Sequence, residues 1–445
     1  MNKQTQNIYK PYFKVFLPTC ISMIMYSLYC FADVFFVAKG AGNVGIAAVN
    51  IALPVFTFFS AIGMMFGVGT SILTSIYKGK NRLDKANKVF TLYIVIGIIT
   101  GIIIFTFFSL YTKEFAILLG ANEVLLETTI SYMRSIAPCG LLSIFIYSLP
   151  IVIRTDGNPK LAMVSGLVGN FVNIILDYVF VIVFSMGAMG AGVATTIGSI
   201  VSIIILMFHY ILKKNTLKCV KDFLELRYLK RILLNGFSSC ILELSTGSVI
   251  LLTNIALMAI SGDAAVSIYS VITNIAFIAK NMFNATAQAA QPLISENYAK
   301  RDMSVVRAAR NLSMKVAIVI SILTIIVLNI FGKNFLAVFL GSDISLLAQG
   351  VVAIAIYYSL FMFTGINTII MYYFQSMECS KLATCVSILR GFVYPVVLLL
   401  ILPKIFGIYG IWFMVSLAEL LTFLTIYPFA KKQEKYINKK LSMSI

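Results

Sequence analysis

Charge is what this sequence has least of. Only 12% of its 445 residues are Asp, Glu, Lys or Arg, against the roughly 25% that a soluble domain uses to cover its surface. Water is thereby excluded as the main solvent of the folded chain, and lipid must take its place. Histidine occurs once, as His209, which closes an apolar stretch next to a lysine pair and reads as an interfacial residue rather than a ligand or base, and tryptophan occurs once. A single imidazole, with no metal-ligand spacing and no nucleophile–base motif, argues against an enzyme. The seven cysteines (Cys20, Cys30, Cys139, Cys219, Cys240, Cys379 and Cys385) contain no CxxC and no Cys/His cluster. They read as small core residues, with neither a disulfide framework nor a metal site. There is no long polar stretch, hence no room for a soluble catalytic domain. Met1 to Lys10 hold no cleavable apolar run and read as a cytoplasmic lead-in.

What is present is apolar sequence: 60% of the residues are hydrophobic and the mean hydropathy is +0.95. A bilayer core of about 30 Å takes roughly 20 apolar residues per helix. Spans are expected at Tyr12–Val37, Ala47–Tyr77, Val89–Leu110, Ile130–Ile153, Leu161–Phe184 and Ala191–Leu212. A second set is expected at Ile232–Ile260, Val266–Ile294, Leu312–Phe331, Val351–Phe374, Leu382–Leu402 and Ile408–Ala430. The fold class is therefore an all-α polytopic membrane protein of about twelve transmembrane helices.

The net charge of +18 does not indicate nucleic acid, because the basic residues form no continuous stripe. They fall in alternate loops: Lys78 to Lys88, Lys213 to Arg231, Lys300 to Arg310 and the tail from Lys431 to Lys440. The intervening loops are bare or acidic, with Glu114, Glu123, Glu127, Asp263 and Asp343. Lys and Arg collect on the cytoplasmic side, which places both termini there.

The halves look like copies. "LLGANEVLLE" from Leu118 matches "FLGSDISLLA" from Phe339, and "GNPKLAM" from Gly157 matches "ECSKLAT" from Glu378. The offset is nearly constant (381 − 160 = 221 for the lysines; 410 − 190 = 220 for the glycines). The expected organisation is an N-terminal six-helix bundle over 1–212, a basic cytoplasmic linker over 213–231 and a C-terminal six-helix bundle over 232–445. Two like-oriented bundles enclosing a central cavity suit alternating access.

An ionisable group inside a span is a functional hypothesis by default. Four acids qualify: Asp33, Asp177, Glu243 and Glu419. Glu419 has nothing polar grouped with it beyond Ser416 and reads as a buried, satisfied acid. Glu243 is flanked by Ser238, Ser239, Ser245 and Thr246, and the functional and structural readings are balanced. Asn173 and Asp177 are four residues apart (177 − 173), as are Tyr29 and Asp33, so each pair shares a helix face. Thr195 and Thr196 lie on the next span. Such a carboxylate pair with amide and hydroxyl oxygens suits Na+; alternatively, two nearby acids raise each other's pKa and carry a proton. In the second half Asp33 aligns with Thr253 or Asn254, and Asp177 with Leu398, so the pair serves the N-terminal half alone. Gly63, Gly67 and Gly69 read as close helix packing.

Several stretches resemble the multidrug and toxic compound extrusion (MATE) family, in its DinF-like and MepA-like bacterial branch. They are "ADVFFVAKGAGNVGIAAVNIALP" from Ala32, "RTDGNPKLAM" from Arg154, "GNFVNIILDYVF" from Gly169 and "GAMGAGVATTIG" from Gly187. The resemblance covers the whole chain. It implies a cation or proton site at Asp33, Asn173, Asp177 and Thr195, with Tyr29 beside it and a helix-bending role for Pro18. It makes Glu243 a substrate or second ion contact, although the tenth span here lacks the acid that other branches pair with it. The implied function is export of organic cations and aromatic drugs, coupled to Na+ or H+, with no cofactor. The implied setting is the inner membrane of a bacterium, the chain acting as a monomer in lipid. The competing reading is a flippase for lipid-linked oligosaccharides, which needs a strongly cationic cavity. The cationic candidates within the spans, Lys280, Lys315 and Arg390, are each expected near a cytoplasmic end.

Overall fold

The computed structural model describes residues 3–341 and 343–442. Met1 and Asn2 of the lead-in, Ser342 of the second-half repeat and the last three residues lie outside that range, as do the side chains of residues 3–7, 438 and 440–442. The described residues hold helices and no strand. In order they are α1 (Lys3–Gly79), α2 (Leu83–Leu110), α3 (Thr112–Leu118), α4 (Glu123–Thr155), α5 (Pro159–Asp177) and α6 (Gly187–Ile211). Then follow α7 (Leu226–Ala299), α8 (Met303–Leu340), α9 (Ile344–Tyr358), α10 (Phe361–Ser376), α11 (Ser380–Ile388), α12 (Tyr394–Phe406) and α13 (Ile408–Ser442). Two π-helical stretches interrupt this pattern, Tyr178–Val183 after α5 and Leu389–Val393 after α11.

Among the described residues, ten helical segments are long and apolar enough to cross a membrane. Two of them, Ile8–Gly79 and Leu226–Ala299, run 72 and 74 residues, far beyond the roughly 20 that one crossing takes. Each breaks once at a glycine with positive φ, Gly42 (62°) in α1 and Gly262 (69°) in α7. Each therefore makes two passes, which gives the twelve spans expected. The expected tenth span is itself composite: α9 and α10 meet at Ser359–Leu360, where helical geometry lapses.

The internal repeat is written in the backbone. Positive φ recurs at Gly42 and Gly262, Asn81 and Arg301, Gly120 and Gly341, Gly157 and Glu378, and Gly187 and Gly407. Every pair is separated by 220 or 221 residues (262 − 42; 341 − 120). Turns that L residues adopt at a cost are thus reproduced at matching positions, even where glycine has become Glu378.

The chain divides into two compact units, Phe13–Cys240 and a second formed by Met1–Tyr12 with Ile241–Ile445. The division falls at Cys240 rather than within the basic segment 213–231, because the first turns of α7 pack on α1. The contact is backbone to backbone: a Cβ on Gly236 would stand 1.8 Å from Met65 O, and one on Gly69 would stand 2.0 Å from Ile232 O. Gly63 and Gly67 meet Tyr147 and Ser148 of α4 almost as closely. This is the packing by small residues that joins helices when lipid removes the hydrophobic incentive. Gly69→Val is expected to cost at least about 3 kcal/mol, since the clash is with a carbonyl that has nowhere to go. A yield of folded, detergent-stable protein equal to wild type would show that the helices do not meet there.

Apolar side chains are turned outward along the spans, as with Ile99, Ile103 and Phe107 of α2 and Leu400 and Ile405 of α12. On a soluble protein such a surface would aggregate; here it meets lipid.

Candidate functional site

The expected acid pair forms. Asp33, in the first pass of α1, and Asp177, the last residue of α5, bring their carboxyls within interacting reach. Asp177 is fully buried, and neither of its oxygens has a hydrogen-bond donor. One oxygen of Asp33 and the side-chain oxygen of Asn173 are likewise buried without a donor. Asn173 donates to Thr195 Oγ1 at 3.2 Å, and the Tyr29 hydroxyl reaches the same threonine. All five residues expected at the site are therefore together, and their spare groups are oxygens.

Local packing explains the arrangement. α5 and α6 cross at Gly169 and Gly198, where a Cβ on Gly198 would lie 2.8 Å from Gly169 O and 2.9 Å from Asn173 Cβ. That approach sets Asn173 against Thr195, one turn away. Asp177 is then delivered to the start of the π-helical stretch, whose wider turn re-aims side chains and often marks functional positions. Thr196, the neighbouring hydroxyl, points elsewhere: it donates to Ser135 O at 2.9 Å and meets Cys139 Sγ at 3.2 Å. Tyr132 of α4, buried, adjoins both acids. Sequence reasoning missed it, since nothing distinguishes one tyrosine among the aromatics of an apolar span.

The arrangement offers converging oxygens and no competing cation. A buried carboxylate pair without donors is unfavourable unless it takes up a proton or a hard cation. Among the described residues no group of three or more His, Cys, Asp or Glu forms a metal cluster. An Na+ ion at this place would be bound by two carboxylates with amide and hydroxyl oxygens, and would be a transported ion. Pro18 leaves α1 helical; the departure from helical geometry is at Gly42. Glu243 lies on α7, in the second of the two units. Its flanking Ser245 and Thr246 bond the Leu242 carbonyl, at 2.9 and 3.0 Å, instead of the acid.

Two sequence expectations are corrected, and the partners of a third residue are supplied. His209 is not interfacial: it is fully buried, with Nε2 2.9 Å from Asp156 Oδ2 and Nδ1 3.3 Å from Asn158 Nδ2. Asp156, of the "RTDGNP" stretch, also accepts from Lys78, the Thr216 hydroxyl and the Thr216 backbone N–H (2.9 Å). Burial alone would raise this carboxyl, but His209, Lys78 and Thr216 outweigh burial and hold it down at about 2, against an ordinary 3.8. The ends of α1, α4 and α6 and the segment after α6 are thus tied to one carboxylate.

Glu419 is a buried, satisfied acid, as expected, but its partners come from other helices and not from Ser416. It accepts from Arg390 at Oε1 (Nη2 2.7 Å, Nε 3.2 Å) and from Asn367 Nδ2 at Oε2 (2.7 Å). Ser416, its expected companion, bonds Tyr357 O. Arg390 also reaches Thr368 Oγ1 at 2.9 Å. Finally, Arg390 and Lys280 do not sit near helix ends. Arg390 lies ten residues into its span from Ser380, about 15 Å along it, and Lys280 lies nineteen residues from Ala299. Helix rotation and depth decide these contacts, and neither is visible in a hydropathy pattern.

The comparisons with known proteins agree with this picture. The MatE family model matches residues 18–179 and 236–401. The multidrug export protein MepA of Staphylococcus saprophyticus is 21% identical over 94% of this chain and 92% of its own. The same-named protein of Staphylococcus aureus MRSA252 is 22% identical over 93% and 91%. A crystal structure of MATE in complex with MaL6 superposes with a TM-score of 0.91 at 20% identity, covering 99% of this chain and 100% of that one. With a match that spans both halves, the chain belongs to the MatE family: it is a multi-pass membrane transporter of the MepA-like branch and not an enzyme.

Proposed function

We propose that this protein exports drug-like organic cations and aromatic compounds from a bacterial cell by cation-coupled antiport. The observation that carries the reading is Asp177, buried, facing Asp33, with no donor at either oxygen. Such a pair stores a demand for positive charge, met by Na+ or H+ entering down its gradient. The names of the MepA relatives support the substrate class.

In this reading the incoming cation or proton neutralises the pair and changes the hydrogen bonding of Asn173, Thr195 and Tyr29. The first pass of α1 bends near Pro18, and drug is released outward. Exchange follows because the ion and the drug favour opposite-facing states. The alternation of basic and acidic loops supports cytoplasmic termini in an inner membrane. The chain works as a monomer, sealed by lipid, with six spans in each half and a basic connection over 213–231. A flippase for pyrophosphate-linked lipids is less well supported, since Arg390, a buried guanidinium, is already occupied by Glu419.

The test is ethidium efflux from cells lacking their own pumps, with the wild-type protein expressed and Na+ and a protonophore varied in turn. Efflux that stops when one gradient is collapsed is the expected result and identifies the coupling ion. Retention of ethidium under every gradient would overturn the exporter reading.

A further inference from the structure

The chain's one histidine is held between two side chains that fix its proton. His209 Nε2 lies 2.9 Å from Asp156 Oδ2, and Nδ1 lies 3.3 Å from Asn158 Nδ2. The orientation of the Asn158 amide is set by its other bond. Its Oδ1 accepts from Leu161 N at 3.2 Å, as the N-cap of α5, so its N–H2 is left for the imidazole. Nδ1 is then a bare acceptor, and the ring is neutral, with its single proton on Nε2 and donated to Asp156. The other polar groups nearby have their own places. Lys78 of α1 and Thr216 of the segment after α6 bond Asp156. Lys214 bonds His209 O through its backbone N–H, and Tyr210 packs edge-on at 5.2 Å. Arg154 of α4 donates to Pro150 O, and Lys160 of α5 is exposed.

A second proton on this ring has no acceptor. It would sit on Nδ1 and point at the Asn158 N–H2, donor against donor. Rotating the amide brings Oδ1 to the ring but takes it from Leu161 N. Pro159, at the start of α5, has no N–H, so the bond to Leu161 N is the cap, and it is lost. On the other side, the same proton turns the Asp156 contact into a charged pair, which strengthens it. Protonation therefore tightens the ring onto the end of α4 and releases the start of α5, the helix that carries Asn173 and Asp177. His209 is buried, but Thr216 and part of Lys78, which share Asp156 with it, are exposed, so solvent is one residue away.

We propose that His209 is a proton-operated latch: neutral, it seats the start of α5, and protonated, it unseats that helix end when acid builds up at the end where segments 78–88 and 213–231 lie. Because the chain has one histidine, solid-state 15N NMR of the full-length protein labelled at histidine, purified by a tag without histidine, reads this ring alone. At about pH 8 the proton is expected on Nε2 with Nδ1 bare, and by about pH 5.5 both nitrogens are protonated. Hydrogen exchange over the same range reads the cap. The control is Leu125, whose N–H is capped by Asn122 Oδ1 at 3.0 Å with no histidine bonded to that asparagine. Protection of the Leu161 amide relative to Leu125 is expected to fall roughly fivefold on acidification. In Asn158→Asp the carboxylate accepts from both Leu161 N and Nδ1, so the ring takes its second proton at least about tenfold more readily and the fall disappears. It also disappears in His209→Gln, and thermal melts check that both variants fold. A proton on Nδ1 or on both nitrogens at about pH 8, a ring still neutral at about pH 5.5, or a Leu161 response that is missing in wild type or persists in the variants, each overturns the latch.

Discussion

Asp177→Asn and Asp33→Asn are each expected to reduce export more than tenfold while leaving the protein as stable as wild type, or more so. The two halves of this result come from one fact. Asp177 is buried beside another carboxyl, with no donor at either oxygen. Asparagine keeps the shape and adds an N–H that can donate to the remaining acid. A hydrogen bond to a charged group is worth about 1.5–3 kcal/mol, a gain of a few degrees in melting temperature. Export is lost because the amide cannot take a proton and is a poorer cation ligand. Stability traded for activity marks a group kept for function. A variant that exports drug normally would remove the pair from the mechanism, and one that loses export and melts early would make Asp177 a structural residue. Melting also separates the ions: Na+ that binds only the folded state raises stability as RT ln(1 + [L]/Kd). If Na+ is the coupling ion, a sodium-dependent shift appears in wild type and vanishes in Asp177→Asn; if H+ is, wild type shows none.

The acid pair was legible because its signals are local and its background is quiet. In a chain with so few charges, each intramembrane carboxylate stands out, and the four-residue spacings of Tyr29–Asp33 and Asn173–Asp177 fix shared faces on continuous helices. The number of spans was legible for the same reason. The turns at Gly42 and Gly262 divide two long helices where the apolar pattern already weakens. Contacts between helices far apart in sequence were not legible. Arg390 and Glu419 are 29 residues apart on different helices (419 − 390), and their meeting depends on how each helix is rotated. His209 stands beside a lysine pair and reads as wet, but Asp156 draws it into the interior. The repeat also misled. It predicts that the halves share their special positions, and for the turns they do. The π-helical stretches break the rule: they begin at Tyr178 and Leu389, an offset of 211 (389 − 178) instead of 220. The first half opens its stretch beside an acid; the second holds an arginine in it.

The buried arginine should be costly to remove alone and cheap to remove with its partner. Arg390→Met leaves Glu419 in a membrane interior with Asn367 as its remaining donor, and Glu419→Leu leaves the guanidinium with only a threonine hydroxyl and a carbonyl. Each single change is expected to cost about 3–5 kcal/mol, enough to lower the yield of folded protein severely. The double variant Arg390→Met with Glu419→Leu is expected to recover most of that loss, to within about 1–2 kcal/mol of wild type. The neighbours are the reason. Asn367 keeps its 2.8 Å bond to the Glu419 backbone carbonyl, and Thr368 keeps its own 2.8 Å bond to Thr364 O. No donor is stranded when both charges leave. Melting temperatures of the three variants in one detergent check this. Equal damage in the double and the singles would mean that Arg390 or Glu419 holds something besides the other. Recovery of the fold would show that the pair is a self-neutralising unit.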